Sequence, residues 1–155
     1  VISAYSLKKL GAGHVYAVDH IEKFADITRE EIERHGLSDY ATVIYAPLVT
    51  HEIDGEGWLW YDTDKFPMVE SIDLLVVDGP PQYDNPQSLA RYPALPIMRD
   101  KVTSDCLMLM DDADREDETQ VMARWESEFA IEVLRWYEKS WGDVEKGAKL
   151  FRLKG

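Results

Sequence analysis

Apolar positions along the chain follow two rhythms that alternate. Residues 14–19 (HVYAVD), 41–45 (ATVIY), 72–77 (IDLLVV) and 106–110 (CLMLM) are short continuous apolar runs, which predict buried strands. Residues 21–35 instead space Ile21, Phe24, Ala25, Thr28 and Ile32 along one helical face, with Glu and Arg filling the other. Gly36 then stands where a helix end favours a left-handed residue. Residues 1–10 predict the last turns of a helix closed by Gly11-Ala12-Gly13, and residues 115–129 a helix with Val121, Trp125 and Phe129 four apart. Within 86–101 a helix is expected, interrupted by Pro93 and Pro96. Residues 49–64 break the alternation: VTHEI, the turn Asp54-Gly55-Glu56-Gly57 and WLWYD predict a hairpin insertion. Two final strands, 131–137 and 148–153, are joined by a charged, glycine-bearing loop.

Strands alternating with helices predict an α/β fold with a mostly parallel sheet. The last two strands have no helix between them and must pair antiparallel, because a parallel return needs a long crossover. At 155 residues a single domain (1–155) is expected. In such sheets ligands bind beyond the carboxyl ends of the strands. Three strands here end in acids, at Asp19, Asp78 and Asp111-Asp112.

Composition narrows the partners. Thirty Asp plus Glu against 17 Lys plus Arg leave a net charge of −13, which argues against a duplex-DNA footprint. No apolar run approaches the roughly 18 residues of a membrane span. One cysteine, Cys106, cannot form an internal disulfide, and its apolar strand makes it a core residue. A cytoplasmic protein that binds neither nucleic acid nor membrane is the expectation. The chain opens at Val1 without a methionine, which predicts a trimmed piece of something longer.

Two constellations carry candidate chemistry. Asp19 follows a buried strand, where a carboxylate can accept both hydroxyls of a ribose. Asp19-His20-Ile21-Glu22 also has the D-x-x-E spacing of a capping box, so a purely structural role stays open. In dinucleotide folds the acid lies about 20 residues after the glycine-rich loop, which places that loop at or before Val1. Asp78, Asp111 and Asp112 end two strands expected to be close in the sheet, and could converge on one hard cation such as Mg²⁺. Helix capping and turn fixing are the alternative roles for these acids. His14, His20, His35 and His51 show no zinc spacing, and no nucleophile elbow is present. Trp58 and Trp60 share one face of the hairpin, with packing the default and a substrate lid or dimer contact the alternative.

In order and spacing, HVYAVDH, IYAPLV, DLLVVDGPP, LMLMDDADR and the closing EVLRWYEKSWGDVEKGAKLFRL resemble class I S-adenosylmethionine-dependent methyltransferases. The resemblance starts just after that family's first motif and covers nearly the whole chain. It implies a Rossmann-like sheet, truncated at its N-terminal side, which lacks the first strand and glycine loop. It implies that Asp19 holds the cofactor ribose with His20 beside it, and that Ala46 and Pro47 lie by the adenine. Asp78, Asp111 and Asp112 match acids that hold a divalent cation in catechol- and caffeoyl-type O-methyltransferases, where Asn is common at the position of Asp112. Asp78 and Asp111 are then the candidate catalytic groups, for methyl transfer to a small acceptor such as a hydroxyl compound. A nicotinamide-dependent oxidoreductase domain is the competing enzyme reading, and a non-catalytic methyltransferase-like module a third. Truncation at a central strand further predicts a homo-oligomer or an aggregating chain.

Overall fold

A computed structural model of the chain describes residues 1–69, 71–137 and 146–154. These form two compact units, Val1–Val49 with Tyr61–Pro67, and Thr50–Trp60 with Met68–Gly155.

In the first unit, α1 (Ile2–Leu10) ends on Gly11, whose φ of 74° lets its N–H return to the Leu7 carbonyl at 2.8 Å. Next come β1 (Val15–Asp19), α2 (Glu22–Arg34) and β2 (Ala41–Tyr45). β1 and β2 pair parallel, with Val15 opposite Ala41 and Asp19 opposite Tyr45. The helical spacing read from the sequence is what seats α2: Ala25 and Ile32 are buried against Ala41 and Val43 of β2, with Ala4 and Leu37 closing the cluster. The helix is capped at His35, and Gly36 follows with φ 61°, the left-handed residue expected at this helix end.

The expected hairpin forms as β3 (Leu48–Ile53) and β4 (Glu56–Tyr61). Asp54 and Gly55 both have positive φ, 52° and 82°, the signature of a type I′ turn whose twist matches the strands. Trp58 and Trp60 are both buried, on one face of β4.

The second unit is built on a four-stranded sheet. Its strands are β5 (Ile72–Val77), β6 (Val102–Asp111), β7 (Ile131–Tyr137) and β8 (Ala148–Leu153), in the order β5-β6-β8-β7. β5 and β6 are parallel; β8 runs antiparallel to both β6 and β7, as the missing crossover required. The joining loop of the last two strands falls largely on residues 138–145, outside the described residues. α4 (Glu116–Glu128) buries Val121, Met122 and Trp125, and the Trp125 ring lies 5.9 Å from Phe151 of β8. Two elements differ from expectation. The helix sought within 86–101 is only α3 (Ala94–Met98), because Pro93 and Pro96 allow just over one turn. β6 begins four residues earlier than its apolar run, because Val102–Asp105 (VTSD) carries a single apolar residue and so extends the strand without an apolar signal.

Candidate functional site

Asp19 ends β1 in the first unit, and its side chain is 33% exposed. Its Oδ1 accepts the Ile21 N–H at 2.8 Å, a local turn just ahead of the first helical residue, Glu22. The N-cap of α2 is Ile21 and has no side-chain cap, so the capping box left open as the alternative role of Asp19 does not form. Asp19 is thus held in place through one oxygen, and Oδ2 lies outside that turn.

The chain around it is fixed by register. Because Asp19 sits opposite Tyr45, the Asp19 carbonyl accepts the Ala46 N–H at 2.9 Å, and the Pro47 carbonyl accepts the Asp62 N–H at 2.8 Å. His20 lies against Asp19, Nδ1 to Oδ1 at 3.8 Å, with the Tyr61 ring 6.1 Å from its own. Asp19, His20, Ala46 and Pro47 are therefore brought together at the carboxyl ends of β1 and β2. Ala46 is fully buried, and its N–H is already bonded to the Asp19 carbonyl.

The second unit gathers the other acids. Asp78 follows β5, Asp111 ends β6 and Asp112 follows it, and one carboxylate oxygen of each lies within 4.8 Å of the others. Asp112 has φ 55°, in the left-handed region that only Gly, Asn and Asp adopt with ease. Beneath these acids lies a cation that no motif announced. Arg91, 4% exposed, reaches this edge: Nη1 donates to the Asp111 carbonyl at 2.8 Å, and Nη2 stands 3.3 Å from Asp112 Oδ2 and 3.7 Å from Asp78 Oδ1. Its Nε faces Glu118 at 3.4 Å, and Glu118 is itself buried. Asp112 also meets Arg115 at 2.9 Å and Lys146 at 3.8 Å. Arg91 and Glu118 were missed because neither belongs to a periodic pattern. The available signal was a single cation inside the apolar segment Leu89-Ala90-Arg91-Tyr92-Pro93-Ala94-Leu95.

These contacts set the electrostatics. Partial desolvation, then the Asp111 carboxylate and a hydrogen bond with it, raise the Asp78 carboxyl above the ordinary aspartate value; Arg91 opposes the rise. The Asp78 side chain is 70% exposed, so its closeness to Asp111 is the firmer of these causes. Cys106 is buried in β6, and burial pushes its thiol up, away from the reactive thiolate.

A divalent ion would have to share this donor set. Mg²⁺ takes carboxylate oxygens at about 2.0–2.1 Å in a near-octahedral shell. Both oxygens of Asp112 already face cationic side chains, and Nη2 of Arg91 bridges Asp112 and Asp78. The residues present do not fit a divalent cation.

A family model described as a methyltransferase domain matches residues 1–113. The chain belongs to the class I methyltransferase family. The match spans α1 to β6 and includes every candidate residue from Asp19 to Asp112, so this methyltransferase domain carries both clusters in the part the family defines. A comparison with curated proteins finds no match to the chain. No helix among the described residues is long and apolar enough to cross a membrane.

Proposed function

We propose that this methyltransferase domain uses S-adenosylmethionine to methylate an oxygen or nitrogen of a small acceptor, with an O-methyl product as the first expectation. The observation that carries the cofactor assignment is Asp19, anchored through Oδ1 at the end of β1 with Oδ2 left to a ligand. A ribose with two free hydroxyls is the partner that such a carboxylate suits. His20 packs beside it, and in this reading the adenine lies by the chain turn at Ala46 and Pro47. When bound, the sulfonium supplies a methyl group already activated for in-line displacement. The protein's own part is alignment and proton handling. Asp78 is close to Asp111 and the more exposed of that pair. It takes the proton that the acceptor hydroxyl or amine loses as the new bond to carbon forms. Its raised proton affinity makes it a better base than an ordinary aspartate. The same reading includes a Rossmann-like sheet in which the open edges of β1 and of β5 are each where a further strand would pair, and a homo-oligomer.

Calorimetric titration with S-adenosylmethionine, its demethylated product and NAD tests the proposal. Binding of the first two with Asp19→Ala weakened by roughly 1.5–3 kcal/mol is expected, the scale of hydrogen bonds to a charged group. Tight NAD binding without response to the methionine cofactor would overturn it.

A further inference from the structure

We propose that the Arg91 guanidinium is the built-in counter-cation of the acidic edge, and that it keeps out the divalent ion these carboxylates would otherwise bind. Four acids surround one buried side chain: Asp78, Asp112 and Glu118 through their carboxylates and Asp111 through its backbone carbonyl. Arginine cannot deprotonate to relieve its burial, so its charge is permanent and its planar fork fixes the direction of each contact. An acidic cluster would ordinarily invite a cation from solution. Here the charge is supplied from inside, by a residue only 4% exposed that cannot exchange with solvent ions.

The consequence concerns how an acceptor is held. With a divalent ion kept out of the edge, a pair of neighbouring acceptor oxygens has nothing to chelate. What faces solvent is the Asp78 carboxyl, backed by Arg91 at 3.7 Å, which recognises a single hydrogen-bond donor. Arg91 is thus a positioning residue: it fixes Asp78 and Asp112 without itself being exposed to the acceptor. The cation part of this inference stands whether or not the methyl-transfer reading holds, because ion binding is read directly.

The test is Mn²⁺ binding, followed by electron paramagnetic resonance and by thermal melting, on the full chain and on Arg91→Ala and Asp112→Asn. The wild-type melt should be indifferent to Mg²⁺ and Mn²⁺, with no stoichiometric Mn²⁺ bound. Arg91→Ala leaves Asp78 and Glu118 without this cation, while Arg115 and Lys146 remain on Asp112; it should melt lower, recover on adding Mn²⁺, and bind that ion about tenfold or more tighter than wild type. Stoichiometric Mn²⁺ binding by wild type that Asp112→Asn abolishes would overturn the proposal, as would a folded Arg91→Ala that gains no affinity. If Arg91→Ala does not fold, Arg91→Gln takes its place: it removes the charge while keeping hydrogen-bond donors for the carboxylates and should gain Mn²⁺ affinity in the same way, and a folded Arg91→Gln that gains none would overturn the proposal.

Discussion

Asp112 carries two burdens at one position, a left-handed backbone and three cationic neighbours. With φ at 55°, Ala would strain the chain, whereas Asn adopts this conformation readily. Charge is the part that Asn cannot replace, since Arg91, Arg115 and Lys146 all approach the Asp112 carboxylate. Asp112→Asn should therefore destabilise by about 2–4 kcal/mol, somewhat below the usual cost of breaking a buried pair because Glu118 remains on Arg91. Denaturant titration checks this, and a change within experimental error would mean the carboxylate only serves the turn. Asp78 titrates the other way. Its folded pKa lies above the ordinary 3.8, so its contribution favours the fold fully below that value and is lost as pH rises through the raised folded pKa. Asp78→Asn should accordingly remove that loss, flattening the stability profile on the acid side of neutrality. Melts across pH that superimpose for wild type and variant would show that Asp111, Asp112 and Arg91 leave Asp78 unaffected.

Among the elements, β4 of the hairpin is held by a side chain of α4 and by two amides that follow β5. Arg124 stacks 3.9 Å over the Tyr92 ring and 5.0 Å from the Trp58 ring, while Nε bonds Glu128 at 2.7 Å and Nη2 faces Glu56 of β4 at 3.7 Å. Asn85 and Gln87 add side-chain bonds to the backbone of Leu59 and Gly57. Tyr92 donates to Glu128, and burial together with that carboxylate pushes its hydroxyl up to about 12. Arg124→Ala should cost on the order of 1–3 kcal/mol and expose tryptophan, with Arg124→Lys only partly restoring it because an ammonium stacks less well. Unaltered tryptophan emission would place the hold elsewhere. How far such features were legible depends on periodicity. β2 and β5 match their apolar runs residue for residue, because a short run bounded by turn residues leaves the backbone little choice but a strand, and β7 and β8 keep their expected bounds. The strand-end acids were legible too, since position in an α/β sheet is itself a chemical signal. Arg124 and Arg91 were not: a lone cation reports nothing in sequence about the ring or carboxylate it will meet across the fold.

For the whole molecule, charge and open edges pull in opposite directions. β1 pairs only with β2, and β5 only with β6, so each leaves one edge without a strand among the described residues. Leu74 and Val76 on β5 are 55% and 50% exposed, an apolar stretch beside an unpaired backbone row. Such an edge is a template for another chain. The net charge of −13 opposes that pairing through repulsion between copies, and the repulsion is screened by salt within about 10 Å at 0.1 M. The chain should thus associate in a concentration-dependent way, and more strongly as ionic strength rises. Light scattering coupled to size exclusion reads this directly. Leu74→Glu with Val76→Glu adds charge of the same sign at the edge, and should return the chain to the monomer without lowering its cooperativity of melting. A protein that stays monomeric at every concentration and salt level would mean that these edges are covered, and the homo-oligomer would be abandoned.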